Sequence, residues 1–173
     1  MTKALTGNAM LTLDEVNAFD PEMFTVRIRP VFEHSPWVAA RTAAARPFAT
    51  REALHAALCR TVNQASDDEK LALIRAHPDL VNRAVLTHES EAELKSAGLD
   101  QLSPEEIERF TDFNRRYREK FGFPFVICAR RNKREAILTA LPGRLQNSRA
   151  EEIKTALAEI CQIAELRLRD LVT

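Results

Sequence analysis

The chain has 173 residues, 45% of them apolar and 29% charged, with 25 lysines and arginines against 25 aspartates and glutamates. Such a length predicts one globular domain, here 1–173, with enough chain to bury a sizeable core. The balanced charge excludes the strong positive field that gathers nucleic acid or an acidic membrane surface. No apolar run is long enough for a signal peptide or a membrane span, and Leu171-Val172-Thr173 matches no address signal. The three cysteines, Cys59, Cys128 and Cys161, are odd in number, lack metal-ligand spacing and sit among apolar neighbours, so they read as reduced core residues. The expectation is a soluble cytoplasmic protein without nucleic-acid or membrane partners.

Only four glycines, little strand-like alternation and abundant Ala, Leu, Glu and Arg predict an all-α fold. The start signals predict a single-domain bundle of roughly eight helices joined by short loops. Thr12 with Glu15, Ser66 with Glu69, Ser103 with Glu106 and Ser148 with Glu151 have capping-box spacing, and Asn132 with Glu135 is a looser match. Asp20-Pro21, Ser35-Pro36 and Ser103-Pro104 add a proline just inside a helix start.

In chain order, a short helix over 12–18 packs as a lid on later ones, and a second begins at Pro21 and ends near Pro30. The junction Glu33-His34-Ser35-Pro36-Trp37 follows, with Trp37 as a large core anchor and His34 as a loop residue. A third helix runs to Ala45 and is broken by Arg46-Pro47. In the fourth, capped by Thr50, the apolar stripe is Ala53, Leu54, Ala57, Leu58 and Val62; His55 falls on its flank and receives no role.

The fifth helix, from Asp67, runs into His77-Pro78. Proline lacks a backbone N–H and pushes the preceding residue out of the α region, so His77 sits at the helix end. Leu73 and Ile74, four and three positions earlier, mark the face it shares as core-directed. Two readings are open. The ring is either a core histidine bonded to a carbonyl or a proton-exchanging group in a cleft.

The helix opened by Thr87-His88-Glu89-Ser90 and closed by Gly98 places Ser90, Glu93, Leu94 and Ala97 on one semi-apolar face. The helix from Pro104 carries Ile107, Phe110, Phe113, Asn114 and Tyr117 as a core stripe. It gives way to Phe121-Gly122-Phe123-Pro124-Phe125-Val126-Ile127-Cys128-Ala129, an apolar run that Gly122 and Pro124 keep from being helical. The prediction is a buried extended segment near 121–129 whose N–H and C=O groups need partners. A helix from Lys133 is interrupted at Leu141-Pro142-Gly143. In the last, Arg167 falls in the middle of the stripe Ile153, Leu157, Ile160, Ala164 and Leu171. A guanidinium there needs an anionic partner, either a carboxylate such as Asp79 or Glu33 or the anionic group of a substrate.

Taken together, Ala76-His77-Pro78-Asp79-Leu80, Glu89-Ser90-Glu91-Ala92-Glu93, Gly98-Leu99, the 121–129 run, Glu33-His34-Ser35-Pro36-Trp37 and Leu166-Arg167-Leu168 resemble one family in order and spacing. That family is 2-oxo-4-hydroxy-4-carboxy-5-ureidoimidazoline (OHCU) decarboxylase, which acts at the end of the route from uric acid to allantoin. The resemblance implies an all-helical homodimer that converts its small ureidoimidazoline substrate to (S)-allantoin without metal or organic cofactor. It places the catalytic residues at His77 and Glu93. Substrate contacts fall on Pro78, on Ser90, Glu91, Ala92 and Leu94, on Phe125, Val126, Ile127, Cys128 and Ala129, and on Arg167. Two departures bear on specificity: Leu94 stands where the family usually has glutamine, and the loop between His77 and Ser90 is shorter than the family pattern.

Overall fold

The computed structural model describes residues 10–80 and 88–173, and for 88–90 the backbone alone. The described residues form nine α-helices. They are α1 (Leu13–Ala18), α2 (Pro21–Ile28), α3 (Pro36–Thr42), α4 (Arg51–Gln64), α5 (Asp67–Arg75), α6 (His88–Ser96), α7 (Pro104–Phe121), α8 (Arg134–Gln146) and α9 (Arg149–Leu171). All four predicted capping boxes form, each pairing the cap hydroxyl with a backbone N–H and the glutamate with the cap's own N–H. Asn132 with Glu135 does not make a fifth. Lys133 precedes α8 without a side-chain cap, because Asn132 Nδ2 donates instead to the Cys128 carbonyl at 2.9 Å.

Helix α9 is the central element, packed against α4, α5, α7 and the 3-10 turn Arg29–Val31. Its buried face, Ala156, Leu157, Ile160, Ile163, Ala164 and Leu168, meets Leu54 and Leu58 of α4 and Leu73 and Ile74 of α5 in one core. Each fully buried aliphatic or aromatic side chain there is worth about 1.5–3 kcal/mol. The chain ends are clipped together where Leu11 N donates to Leu171 O and Thr173 N to Leu11 O, both at 2.8 Å.

Helix α7 departs from its predicted stripe in one place: burial begins at Phe110, a turn further in, and Ile107 stays 43% exposed. Phe110, Phe113, Tyr117 and Phe121 are buried. Gly122 then ends the helix at φ 78°, a left-handed conformation that suits glycine, and turns the chain into the predicted extended run. Residues 123–129 are buried throughout. Phe125 stands edge-on to Phe113 and Tyr117, with centroids 5.1 and 5.4 Å away.

Side chains, not a strand, satisfy part of this segment's backbone. Arg144 Nη2 donates to the Val126 carbonyl at 3.2 Å, and Cys128 N donates to Glu159 Oε2 at 2.7 Å. The predicted break in α8 is absent. The helix continues through Pro142 and Gly143, which face solvent, because Leu141 and Arg144 on either side of them are anchored in the core. The cysteines also differ from expectation: Cys128 is buried, whereas Cys59 and Cys161 are half-buried.

Candidate active site

Helix α5 ends as the sequence requires, with Ala76 as its last α-conformation residue and His77 N donating to Ile74 O at 3.2 Å. The imidazole folds back over the last turn, and Nδ1 lies 3.0 Å from the Leu73 carbonyl. A carbonyl only accepts, so Nδ1 carries the proton and Nε2 is the basic nitrogen. Both open readings of His77 therefore hold: one nitrogen is a bonded core group and the ring still borders a cleft.

That cleft has about 420 Å³ of open space and is lined by His77, Pro78, Asp79, Leu80, Glu93, Leu94, Phe125, Val126, Ile127, Ala129, Ile163 and Arg167. Three sources converge on it: the end of α5, the inner face of α6 and the extended segment, all laid against α9.

The electrostatic centre is Arg167, 6% exposed. Its Nε and Nη2 donate to the two oxygens of Glu93 at 2.7 and 3.0 Å, and its Nη1 donates to Glu33 Oε2 at 2.7 Å. Burial alone would push the guanidinium pKa down, but the carboxylates of Glu93 and Glu33 more than reverse this and hold it raised. The forked geometry suits arginine and fixes the Glu93 carboxylate plane. Glu33, not Asp79, is thus the partner from the first half of the chain, and Asp79 pairs with Arg118 at 2.8 Å.

Burial pushes the His77 pKa down from 6.5 to about 4. The Leu73 carbonyl and Glu33 oppose that shift, and Arg167 and His34 add to it. At neutral pH the ring is uncharged, with a free base at Nε2. No hydrogen bond among the described residues joins it to Glu93.

The cleft brings together most of the residues singled out in the sequence. His77, Pro78, Glu93, Leu94, Phe125, Val126, Ile127, Ala129 and Arg167 line it. Glu91 and Ala92 lie on the exposed side of α6, and the Cys128 amide is taken by Glu159. The Ser90 side chain and the 81–87 loop lie outside the described residues. Sequence reasoning missed Asp79, Leu80 and Ile163 as lining residues. Ile163 sits four positions before Arg167, so the helical period that exposed the arginine also marked it.

Comparison with known proteins bears on the chain and its fold. A family model described as OHCU decarboxylase matches residues 17–169. The 2-oxo-4-hydroxy-4-carboxy-5-ureidoimidazoline decarboxylase of Haloferax volcanii is 45% identical over 160 residues, 92% of this chain and 95% of that protein. The crystal structure of OHCU decarboxylase in the presence of (S)-allantoin superposes with a TM-score of 0.69 at 26% identity, covering 88% of this chain and 98% of that one. The crystal structure of (S)-allantoin synthase gives a TM-score of 0.77 at 30% identity over 94% of this chain. This chain spans only 54% of that synthase's length.

Proposed function

The chain belongs to the OHCU decarboxylase family, and we propose that it decarboxylates 2-oxo-4-hydroxy-4-carboxy-5-ureidoimidazoline to (S)-allantoin in urate degradation. The observation that carries this reading is the neutral His77, its basic Nε2 set by the Leu73 bond, in one cleft with a Glu93 carboxylate clamped by Arg167.

Loss of CO2 breaks the bond between the carboxyl and the ring carbon, and its electron pair passes into the neighbouring imine of the substrate, whose nitrogen takes up a proton from solvent. The ring hydroxyl then becomes a carbonyl, and the adjacent carbon takes up a proton. One base serves both ends of this transfer: His77 Nε2 removes the hydroxyl proton and returns one to a single face of the ring, which sets the product's hand. Glu93 accepts from Arg167 at one lone pair of each oxygen, so its remaining lone pairs accept the ureido N–H groups. The backbone of Val126 and Ile127, in the cleft wall, meets the ring carbonyl. A homodimer in the cytoplasm is part of the same reading, supported by family resemblance alone.

The test generates the short-lived substrate in situ from urate with urate oxidase and hydroxyisourate hydrolase, adds the protein, and follows the circular dichroism of allantoin. A single-handed signal that grows faster than in its absence supports the proposal, and His77→Asn abolishes it with helix content unchanged. Racemic allantoin at the spontaneous rate from the intact protein would refute it.

A further inference from the structure

Behind the cleft wall lies a second group of buried polar side chains that the proposed reaction does not use. Glu152 is fully buried and Arg144 is 9% exposed. The carboxylate accepts from Arg144 Nε, from Tyr117 Oη at 2.5 Å and from Asn147 Nδ2 at 2.8 Å. A buried ion pair adds little stability over apolar side chains of similar volume, so stability alone does not account for it. The cluster reaches the cleft wall through the guanidinium of Arg144. Its central carbon lies over the Phe125 ring, 4.7 Å from the centroid, and its Nη2 donates to the Val126 carbonyl at 3.2 Å. Phe125, Val126 and Ile127 line the cleft, whereas Arg144 does not.

The direction of that bond sets the direction of another. The Val126–Ile127 peptide is trans, so its C=O and its N–H point to opposite sides. With the carbonyl turned back to Arg144, the Ile127 N–H is turned away from it, on the side of the cleft. Ile127 is 8% exposed, and among the described residues its N–H has no hydrogen-bond partner. The next amide is already engaged, since Cys128 N donates to Glu159 Oε2 at 2.7 Å. The segment is thus pinned on both sides of an open donor.

We propose that Arg144 is a positioning residue for the decarboxylation: through the Val126 carbonyl it aims the Ile127 N–H at the ring carbonyl oxygen of the substrate. The role rests on the reaction proposed above. The electron pair left by CO2 moves onto the imine nitrogen, which is bonded to the ring carbonyl. Part of the charge therefore passes to the carbonyl oxygen before the nitrogen takes up its proton. A donor fixed at that oxygen binds the transition state more tightly than the substrate. The guanidinium also polarises the peptide, which makes its N–H a stronger donor. Glu152, itself held by Tyr117 and Asn147, keeps the guanidinium in place.

The experiment compares Arg144→Lys with the double variant Arg144→Met, Glu152→Leu. Lysine keeps a cation beside Glu152 but gives up the flat fork that serves carboxylate and carbonyl in fixed directions. The double variant removes both charges and keeps most of the volume. Each is assayed for stereoselective allantoin formation below its unfolding transition, with helix content and Tm measured in parallel. In both, kcat should fall about 10- to 100-fold while KM changes less than about twofold, because the N–H remains but is no longer aimed. In NMR spectra of the intact protein, saturation with (S)-allantoin should move the Ile127 amide proton downfield, and Arg144→Lys should shrink that shift. Three results would each overturn the proposal: an unchanged kcat in Arg144→Lys, a kcat that follows Tm in the double variant, or an Ile127 amide that stays put while that of Leu94 moves. An intact protein that yields only racemic allantoin overturns the decarboxylase reading as well, so the two failures are told apart by the intact protein alone.

Discussion

Replacing Arg144 by methionine tests how the cleft wall is held. Glu152, fully buried, accepts from Tyr117 Oη at 2.5 Å, from Asn147 Nδ2 at 2.8 Å and from Arg144 Nε. The same guanidinium lies over the Phe125 ring and donates to the Val126 carbonyl. Methionine refills most of the volume but removes the only cation paired with Glu152 among the described residues. Breaking a buried pair from one side costs about 3–5 kcal/mol, and the Val126 carbonyl loses a donor as well. A loss of about 4 kcal/mol corresponds to a fall in Tm of roughly 8–16 °C for a domain of this size. Urea and thermal unfolding followed by far-ultraviolet circular dichroism measure it. Adding Glu152→Leu to Arg144→Met removes the stranded carboxylate, so the double variant should be more stable than the single one by about 1–2 kcal/mol. A single-variant cost below about 1 kcal/mol, or a second substitution that only adds further loss, would refute the argument.

Because His77 binds a proton less readily folded than unfolded, stability should be full above about pH 6.5 and fall as the pH drops toward 4, by about 3 kcal/mol in all. Urea midpoints across that window should show this slope, and His77→Gln should flatten it. Arg167→Lys should lower kcat about 100-fold in the dichroism assay, because an ammonium cannot hold both oxygens of Glu93 and also Glu33 in fixed directions. Leu94→Gln puts a hydrogen-bonding amide into the cleft and should lower KM for the ureidoimidazoline severalfold. A rise in KM would mean that the cleft is shaped for a different ureide.

What the sequence disclosed follows from the range of the interactions involved. Capping boxes, the His77-Pro78 stop and the Gly122 turn are set by residues within a few positions of one another, so their signals are local and each formed where expected. The continuity of α8 was not legible, because what carries the helix past Pro142 is the burial of Leu141 and Arg144 against distant elements.

Arg167 shows where local reasoning ends and tertiary structure changes a conclusion. A charge in the middle of an apolar stripe demands a partner, and that demand pointed to a carboxylate such as Asp79 or Glu33 or to a substrate anion. It could not show that Glu93 claims two more of the arginine's donors. Among the described residues two carboxylates already engage this guanidinium, which makes it a poor seat for the substrate's carboxylate. Our proposal for Arg167 accordingly moves from binding that anion to aligning Glu93. The leaving carboxylate is then best placed against the apolar wall of Leu94, Ile127 and Ile163, where an anion is poorly solvated and departure as neutral CO2 relieves the cost.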